Sequence, residues 1–143
     1  MFLGEYQHTI DDKGRVVMPS KFRHHLADGV VVTKGQEHCL YVFSDERWGE
    51  EVARVGRLSR EDRRHRNYMR AFFGSASDQQ LDKQGRLAIP PALREFASLQ
   101  REVVVVGVSD RLEIWDAAAW EAVSGVADEL YADIEEALTE EGI

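Results

Sequence analysis

The chain has 143 residues, 43% of them hydrophobic and 31% charged, with a net charge of −8. That length is one domain or two small ones, and half of it alone would bury only a marginal core. The single Cys39 excludes an internal disulfide, and the longest apolar run, Val103 to Val108, is far too short to span a bilayer.

In chain order, the start Met1-Phe2-Leu3-Gly4-Glu5-Tyr6 has neither a basic n-region nor an apolar h-region, so no secretory signal is expected and the protein is placed in the cytoplasm. Glu5 to Ile10 reads as a strand, and Asp11-Asp12-Lys13-Gly14 as a turn, with Asp bonding nearby N–H groups and Gly supplying a positive φ. Arg15 to Met18 resumes an extended run. Pro19 suits a first helical position, and Ser20 to Leu26 makes a short helix with Phe22 and Leu26 on one face. Val30 to Lys34 and Cys39 to Phe43 form a hairpin, after which Ser44 caps a helix through Trp48 and Val52. A second helix is expected over Ser59 to Phe73, opened by Ser59 and Asp62 and stopped by Gly74.

The same plan then returns. Leu81-Asp82-Lys83-Gln84-Gly85-Arg86-Leu87-Ala88-Ile89-Pro90 repeats Ile10 to Pro19 at a shift of 71 positions, with Asp, Gly, Arg and Pro identical. Pro90-Pro91 open a short helix to Phe96, and Val103 to Val108 with Leu112 to Trp115 form a hairpin. There the shift is 72, pairing Leu40 with Leu112 and Trp48 with Trp120. Asp116 caps a last helix, Ala117 to Leu138, which carries Trp120, Val123, Ala127, Leu130, Ile134 and Leu138 at helical spacing and is weakened by Gly125. The organisation is therefore a first repeat over 5–47, a helical connection over 48–73, a second repeat over 76–119, and an acidic helix and tail over 120–143.

Charge is unevenly placed. Residues 117–143 hold eight acids and no Lys or Arg, while the rest of the chain holds 18 acids and 18 bases. A balanced body with an acidic tail can present a local basic face, and local potential governs binding more than the total does. The repeated turn supplies one such face. Two tight loops side by side across a pseudo-twofold axis would place Arg15 and Arg86 on one edge, with Lys13 and Lys83 beside them and Arg23 and Arg94 widening it. Arg offers a planar fork for phosphate oxygens or the O6/N7 edge of guanine, and Lys suits phosphate. The plainer reading is an Asp–Arg pair that only stabilises a hairpin. Retention of the same Arg in both copies favours the binding role.

The paired D-x-x-x-R motifs (Asp11 to Arg15, Asp82 to Arg86), Gly14 and Gly85, Pro19 and Pro90, Gly4-Glu5-Tyr6 and Phe72-Phe73-Gly74 resemble the MraZ family of bacterial transcriptional regulators, built from two tandem AbrB/SpoVT-type swapped-hairpin units. The resemblance covers nearly the whole chain. It departs where Asp12-Lys13 in the first loop faces Lys83-Gln84 in the second, which makes the loops electrostatically unequal. It implies an α+β fold: an interleaved β-barrel with peripheral helices, including the C-terminal amphipathic one. It further implies a repressor that binds double-stranded promoter DNA at tandem G-rich repeats of its own operon for cell division and wall synthesis, in association with the nucleoid. It also implies a ring-shaped homo-oligomer, expected as an octamer, whose weak contacts add through multivalency. The alternative from another class is a protein-binding module like the antitoxins of the same fold. Those usually carry one copy of the unit and a disordered tail.

Seven arginines, Arg54, Arg57, Arg60, Arg63, Arg64, Arg66 and Arg70, fall within 17 residues. They read as a solvated face, a second DNA contact, or a seam against a neighbouring subunit's acidic C-terminal helix. The seam is the preferred sharp reading because the chain carries a matching acidic helix. Adjacent His24 and His25 make a poor metal pair. Cys39 reads as a small core residue, and Trp48 and Trp120 as core anchors. No zinc spacing, phosphate-cradling Gly loop or nucleophile elbow is found, so no cofactor, metal, small-molecule substrate or enzymatic activity is expected.

Overall fold

The computed structural model describes residues 1–135 and 137–143; Glu136 of the acidic tail lies outside the described residues. The strands are β1 (Phe2–Thr9), β2 (Arg15–Val17), β3 (Val30–Lys34), β4 (Leu40–Ser44), β5 (Ser77–Gln79), β6 (Arg86–Ala88), β7 (Glu102–Ser109) and β8 (Leu112–Asp116). The helices are α1 (Asp45–Gly56), α2 (Arg63–Gly74), α3 (Pro91–Phe96), α4 (Ala117–Leu130) and α5 (Glu135–Glu140), with a 3₁₀ run over Ser20–Leu26.

Six strands form one antiparallel sheet in the order β1-β7-β8-β4-β3-β5, and β2 pairs with β6 in a separate two-stranded ribbon. The order shows the interleaving. β1 of the first copy pairs with β7 of the second, β5 of the second pairs with β3 of the first, and the ribbon takes one strand from each. Neither half completes a sheet alone, which is the physical sense of a swapped hairpin and the answer to the small-core problem of a half-length chain.

The ribbon closes over the inner face of the sheet. Val16 and Leu87, opposite each other in it, are fully buried, and they join Phe22, Leu26 and Leu93 of the short helices in one core with Val32, Leu40, Val105 and Ile114 of the sheet. The outer face of the sheet is covered by helices. Phe43 meets Val55 of α1 and Phe72 of α2, and Trp115 and Val104 meet Trp120 and Val123 of α4. Strands buried on both faces carry continuous β-branched runs, as Val30-Val31-Val32-Thr33 does. Thr33, the buried polar member, is satisfied by donating to the Phe72 carbonyl.

The elements depart from the sequence reading at four places. The first strand starts at Phe2, earlier than Glu5, because Phe2 packs edge-on against Phe22 at 5.2 Å and gives the strand a core anchor. Pro19 lies just outside its helical turn at φ −51°, ψ 134°, whereas Pro91 does occupy a first helical position. The second connecting helix opens at Arg63, not Ser59: the Asp62 side chain accepts from the Arg64 N–H at 2.8 Å, and Ser59 instead accepts from the Glu61 N–H. The last helix runs through Gly125 without a break. It continues to Leu130, passes through a 3₁₀ turn (Tyr131–Ile134) and resumes as α5. No helix among the described residues is long and apolar enough to cross a membrane.

Candidate nucleic-acid interface

The two D-x-x-G-R loops have the same construction. In the first, the Asp11 carbonyl accepts from the Gly14 N–H at 2.9 Å and the Asp11 N–H donates to the Arg15 carbonyl at 2.9 Å. Asp11 Oδ1 accepts from the Lys13 and Arg15 N–H groups, both at 2.9 Å. In the second, Asp82 does the same for Gly85, Gln84 and Arg86. Gly14 and Gly85 close the turns at φ 78° and 74°, a left-handed conformation that disfavours any side chain. These N–H bonds hold the Asp11 and Asp82 carboxyls below the usual carboxylate range; in each loop the largest cause is the bond from the arginine's own backbone N–H.

The same carboxylates position the arginine side chains. Arg15 Nε donates to Asp11 Oδ2 at 2.8 Å, and Arg86 Nε to Asp82 Oδ2 at 2.6 Å. The Asp thus takes the inner N–H of each guanidinium and leaves the terminal amino groups without a hydrogen bond among the described residues. Arg86 also reaches across the ribbon to within 4.0 Å of Asp11 Oδ2. Strand alternation sets where the forks stand. Arg15 pairs with Ala88 and Val17 with Arg86, so Arg15 and Arg86 are diagonal neighbours on the outward face while Val16 and Leu87 point into the core. Diagonal neighbours lie about 7–8 Å apart, close enough for both forks to meet one short stretch of duplex.

Contacts between the copies lock this arrangement. Met18 N–H donates to the Gly85 carbonyl at 2.9 Å, and Ile89 N–H to the Gly14 carbonyl at 2.8 Å, the same bond in both directions. Arg23 packs over Gly85 and Arg94 over Gly14, so close that an added Cβ would lie 2.4 Å from Arg23 Nε or 2.7 Å from Arg94 Cζ. Sequence reasoning placed Arg23 and Arg94 on the edge as further cations. The geometry gives them a bracing position first, each lying on the other copy's turn. Arg23 Nε donates to the Met18 carbonyl at 3.0 Å, whereas Arg94 Nε is buried without a hydrogen-bond partner. Lys13 and Lys83 are exposed at the loop tips, with Gln84 beside Lys83. Around the two turns, six cations (Lys13, Arg15, Arg23, Lys83, Arg86, Arg94) stand against three carboxylates (Asp11, Asp12, Asp82), a local positive balance in an acidic protein.

One participant had no sequence signal. Gln79 pairs with the open edge of β6 through both ends of its amide, donating to the Ala88 carbonyl at 2.8 Å and accepting from the Ala88 N–H at 2.9 Å. A lone polar residue ending a short strand gives no hint of that role. The other candidates stay apart from the ribbon. Cys39 is buried, its thiol pushed up to about 12 mainly by burial, which removes it as a nucleophile. Trp48 stacks on Phe72 at 5.4 Å, and Trp120 packs on Trp115 while donating to Glu5 at 3.0 Å, as half-buried anchors. Among the described residues no group of three or more His, Cys, Asp or Glu could hold a metal ion. The arginine-rich stretch is not one helix: Arg54 lies in the last turn of α1, Arg57 and Arg60 lie in the connection, and Arg63 to Arg70 lie in α2.

Known proteins are similar to this sequence along nearly the whole chain. The family described as "MraZ protein, putative antitoxin-like" matches twice in succession, over residues 1–71 and 72–140, the two copies of the repeat. A protein of Salinispora tropica is 48% identical over 136 residues, covering 95% of this chain and 96% of its own. One of Acetivibrio thermocellus is 46% identical over 125 residues, 87% of each chain, and one of Halothermothrix orenii is 41% identical over 143 residues, the full length of both. All three are named transcriptional regulator MraZ. With two consecutive family matches and relatives this similar over nearly their full length, the chain belongs to the MraZ family.

Proposed function

We propose that the protein is a sequence-specific DNA-binding transcriptional regulator, and that the β2–β6 ribbon is the surface that reads the duplex. The observation that carries this reading is the pair of arginines, Arg15 and Arg86, each held by its own Asp through Nε with terminal amino groups that make no hydrogen bond among the described residues, on one face of a ribbon built from both copies. A pre-oriented fork matches guanine O6/N7 in the major groove, which admits a two-stranded β-ribbon. Lys13 and Lys83 at the tips serve the phosphates and set the register. The names of the relatives support the regulatory role. In this reading the target is a set of tandem G-rich repeats before the protein's own operon for cell division and wall synthesis. The outcome there is repression, the site of action is the nucleoid, and several copies in a ring engage several repeats so that weak contacts add.

The test is a titration of a fluorescent promoter duplex carrying G-rich repeats with wild type, Arg15→Ala and Arg86→Ala, over a salt series. Each variant should lose roughly 1–3 kcal/mol of specific binding. Affinity of the wild type should fall steeply with salt, as release of phosphate counterions requires. Wild-type affinity in both folded variants, or a flat salt profile, defeats the proposal.

A further inference from the structure

A surface with true twofold symmetry reads a palindrome, because each half meets the same bases in either orientation. The ribbon has the topology of such a surface, yet its halves are unequal in four places. The first is the hold on the arginine. Arg15 is held by Asp11 alone, whereas Arg86 is held by Asp82 and also stands 4.0 Å from Asp11 Oδ2. The second is the brace. Arg23, lying on Gly85, is anchored by donating from Nε to the Met18 carbonyl, but the Nε of Arg94, lying on Gly14, is buried without a partner.

The third is the outer edge of the ribbon. Gln79, which pairs with Val30 in the sheet, clamps the N–H and carbonyl of Ala88 on β6. Its counterpart 71 positions earlier is His8, which pairs with Val103. Among the described residues His8 makes no such bond to Val17 on β2, the counterpart of Ala88. The fourth is the charge of the tip. Lys13 and Gln84 hold the same place, each donating its N–H to Oδ1 of the turn's Asp at 2.9 Å. Asp12 and Lys83 are then counterparts, both exposed. The first tip, Asp12-Lys13, sums to neutral, while the second, Lys83-Gln84, carries a positive charge.

All four differences favour the second loop. Three of them stiffen it, and a fork fixed before its ligand arrives loses less freedom on binding. The fourth draws Lys83 to phosphate, where Asp12 in the first loop is repelled. Gln84 adds an amide of the kind that takes the N6/N7 edge of adenine, next to an arginine suited to guanine. We infer that the ribbon reads an asymmetric duplex element in a single orientation, with Arg86, Lys83 and Gln84 as the stringent half and Arg15, Asp12 and Lys13 as the permissive half. This rests on the ribbon being the DNA surface and deepens that reading: copies bound at tandem repeats all face the same way along the duplex.

The experiment is fluorescence anisotropy at one fixed salt concentration, on a duplex carrying a single G-rich element and on two derivatives with the guanines of one end or the other replaced by adenine. Wild type should lose roughly tenfold in affinity on replacement at one end and a smaller factor at the other. Arg86→Ala should abolish the response at that stringent end and keep the weaker one. Arg15→Ala should do the reverse. If Arg86→Ala fails to fold by circular dichroism, Arg86→Lys replaces it, with the same loss of response expected. Asp12→Lys leaves every turn bond in place, and should tighten binding and steepen the salt slope by about one. Equal wild-type losses at both ends, a stringent end flattened by Arg15→Ala, or variants that each soften both ends overturn the single orientation while the ribbon remains the DNA surface. Asp12→Lys binding no tighter than wild type overturns the part assigned to the first tip. Wild-type affinity and response in both arginine variants overturn the ribbon reading and this inference with it.

Discussion

The ribbon and the arginine corner are both basic, yet they present their charge in opposite ways. In the ribbon each arginine is fixed three times over: its backbone N–H and its Nε go to one Asp, and its strand is pinned by Val16 or Leu87 in the core. In the corner at the junction of α1 and α2, Arg57, Arg60 and Arg63 stand on a connection and a helix start, with no carboxylate among the described residues holding them. Fixed forks can discriminate between acceptor patterns, because the geometry is set before the ligand arrives. Loose, solvated charges attract but hardly discriminate, and an exposed pair contributes little on its own. The comparison teaches that orientation, more than the number of cations, marks the proposed reading surface of this acidic chain.

The largest effect should come from removing the ribbon's anchor. Leu87→Ala is expected to cost about 2–5 kcal/mol in urea unfolding, because Leu87 is fully buried at the junction of both copies. A small loss would show that the ribbon is not seated in the shared core. Next in size is DNA affinity. Arg15→Ala and Arg86→Ala should each cost about 1–3 kcal/mol of binding while leaving the urea midpoint nearly unchanged. The same glycine substitution should then have opposite signs in the two regions. Gly85→Ala is expected to destabilise by about 1–2 kcal/mol, since its φ is 74° and the new Cβ meets Arg23. Gly49→Ala, within α1 and facing open space, should stabilise by about 0.5–1 kcal/mol. Equal signs in thermal melts would erase the distinction drawn between a fixed turn and an ordinary helix surface.

The smallest effect concerns acid. Asp11 and Asp82 titrate below their ordinary value in the folded protein. Their contribution is therefore complete above the unfolded carboxyl value, near pH 4, and is lost as pH falls through the folded one. Stability measured from pH 6 downward should decline below about pH 4, and Asp11→Asn with Asp82→Asn should flatten that limb. An unchanged limb would mean that the turn bonds do not couple to folding.

Much of this was legible in the sequence because it rests on repetition and on local chemistry. The shift of 71 positions announced two equal turns, and Asp, Gly and Arg at fixed offsets dictated their hydrogen bonds. Strands came through where β-branched runs were dense, as in Val30 to Thr33 and Val103 to Val106. What was not legible depends on contacts between distant residues. Nothing local shows that Arg23 would lie on Gly85 and Arg94 on Gly14, because each brace crosses from one copy to the other. Gln79 is silent for the same reason: its partner is the open edge of β6, nine residues on and in another strand. The start of α2 was misplaced because Ser59 and Asp62 both satisfy a capping rule, and only the chain's path decides which N–H groups are orphaned.

The most direct test of the central claim keeps the ribbon's charge and removes its forks. Arg15→Lys combined with Arg86→Lys preserves two cations on the same strands but replaces each planar fork with a single ammonium. Affinity should be measured for a G-rich repeat duplex and for the same duplex with its guanines replaced by adenines, at one fixed salt concentration. The account predicts that the double variant keeps its weak, salt-sensitive affinity for both duplexes and loses most of the preference of wild type for the G-rich one. A double variant that retains the full wild-type preference would contradict it.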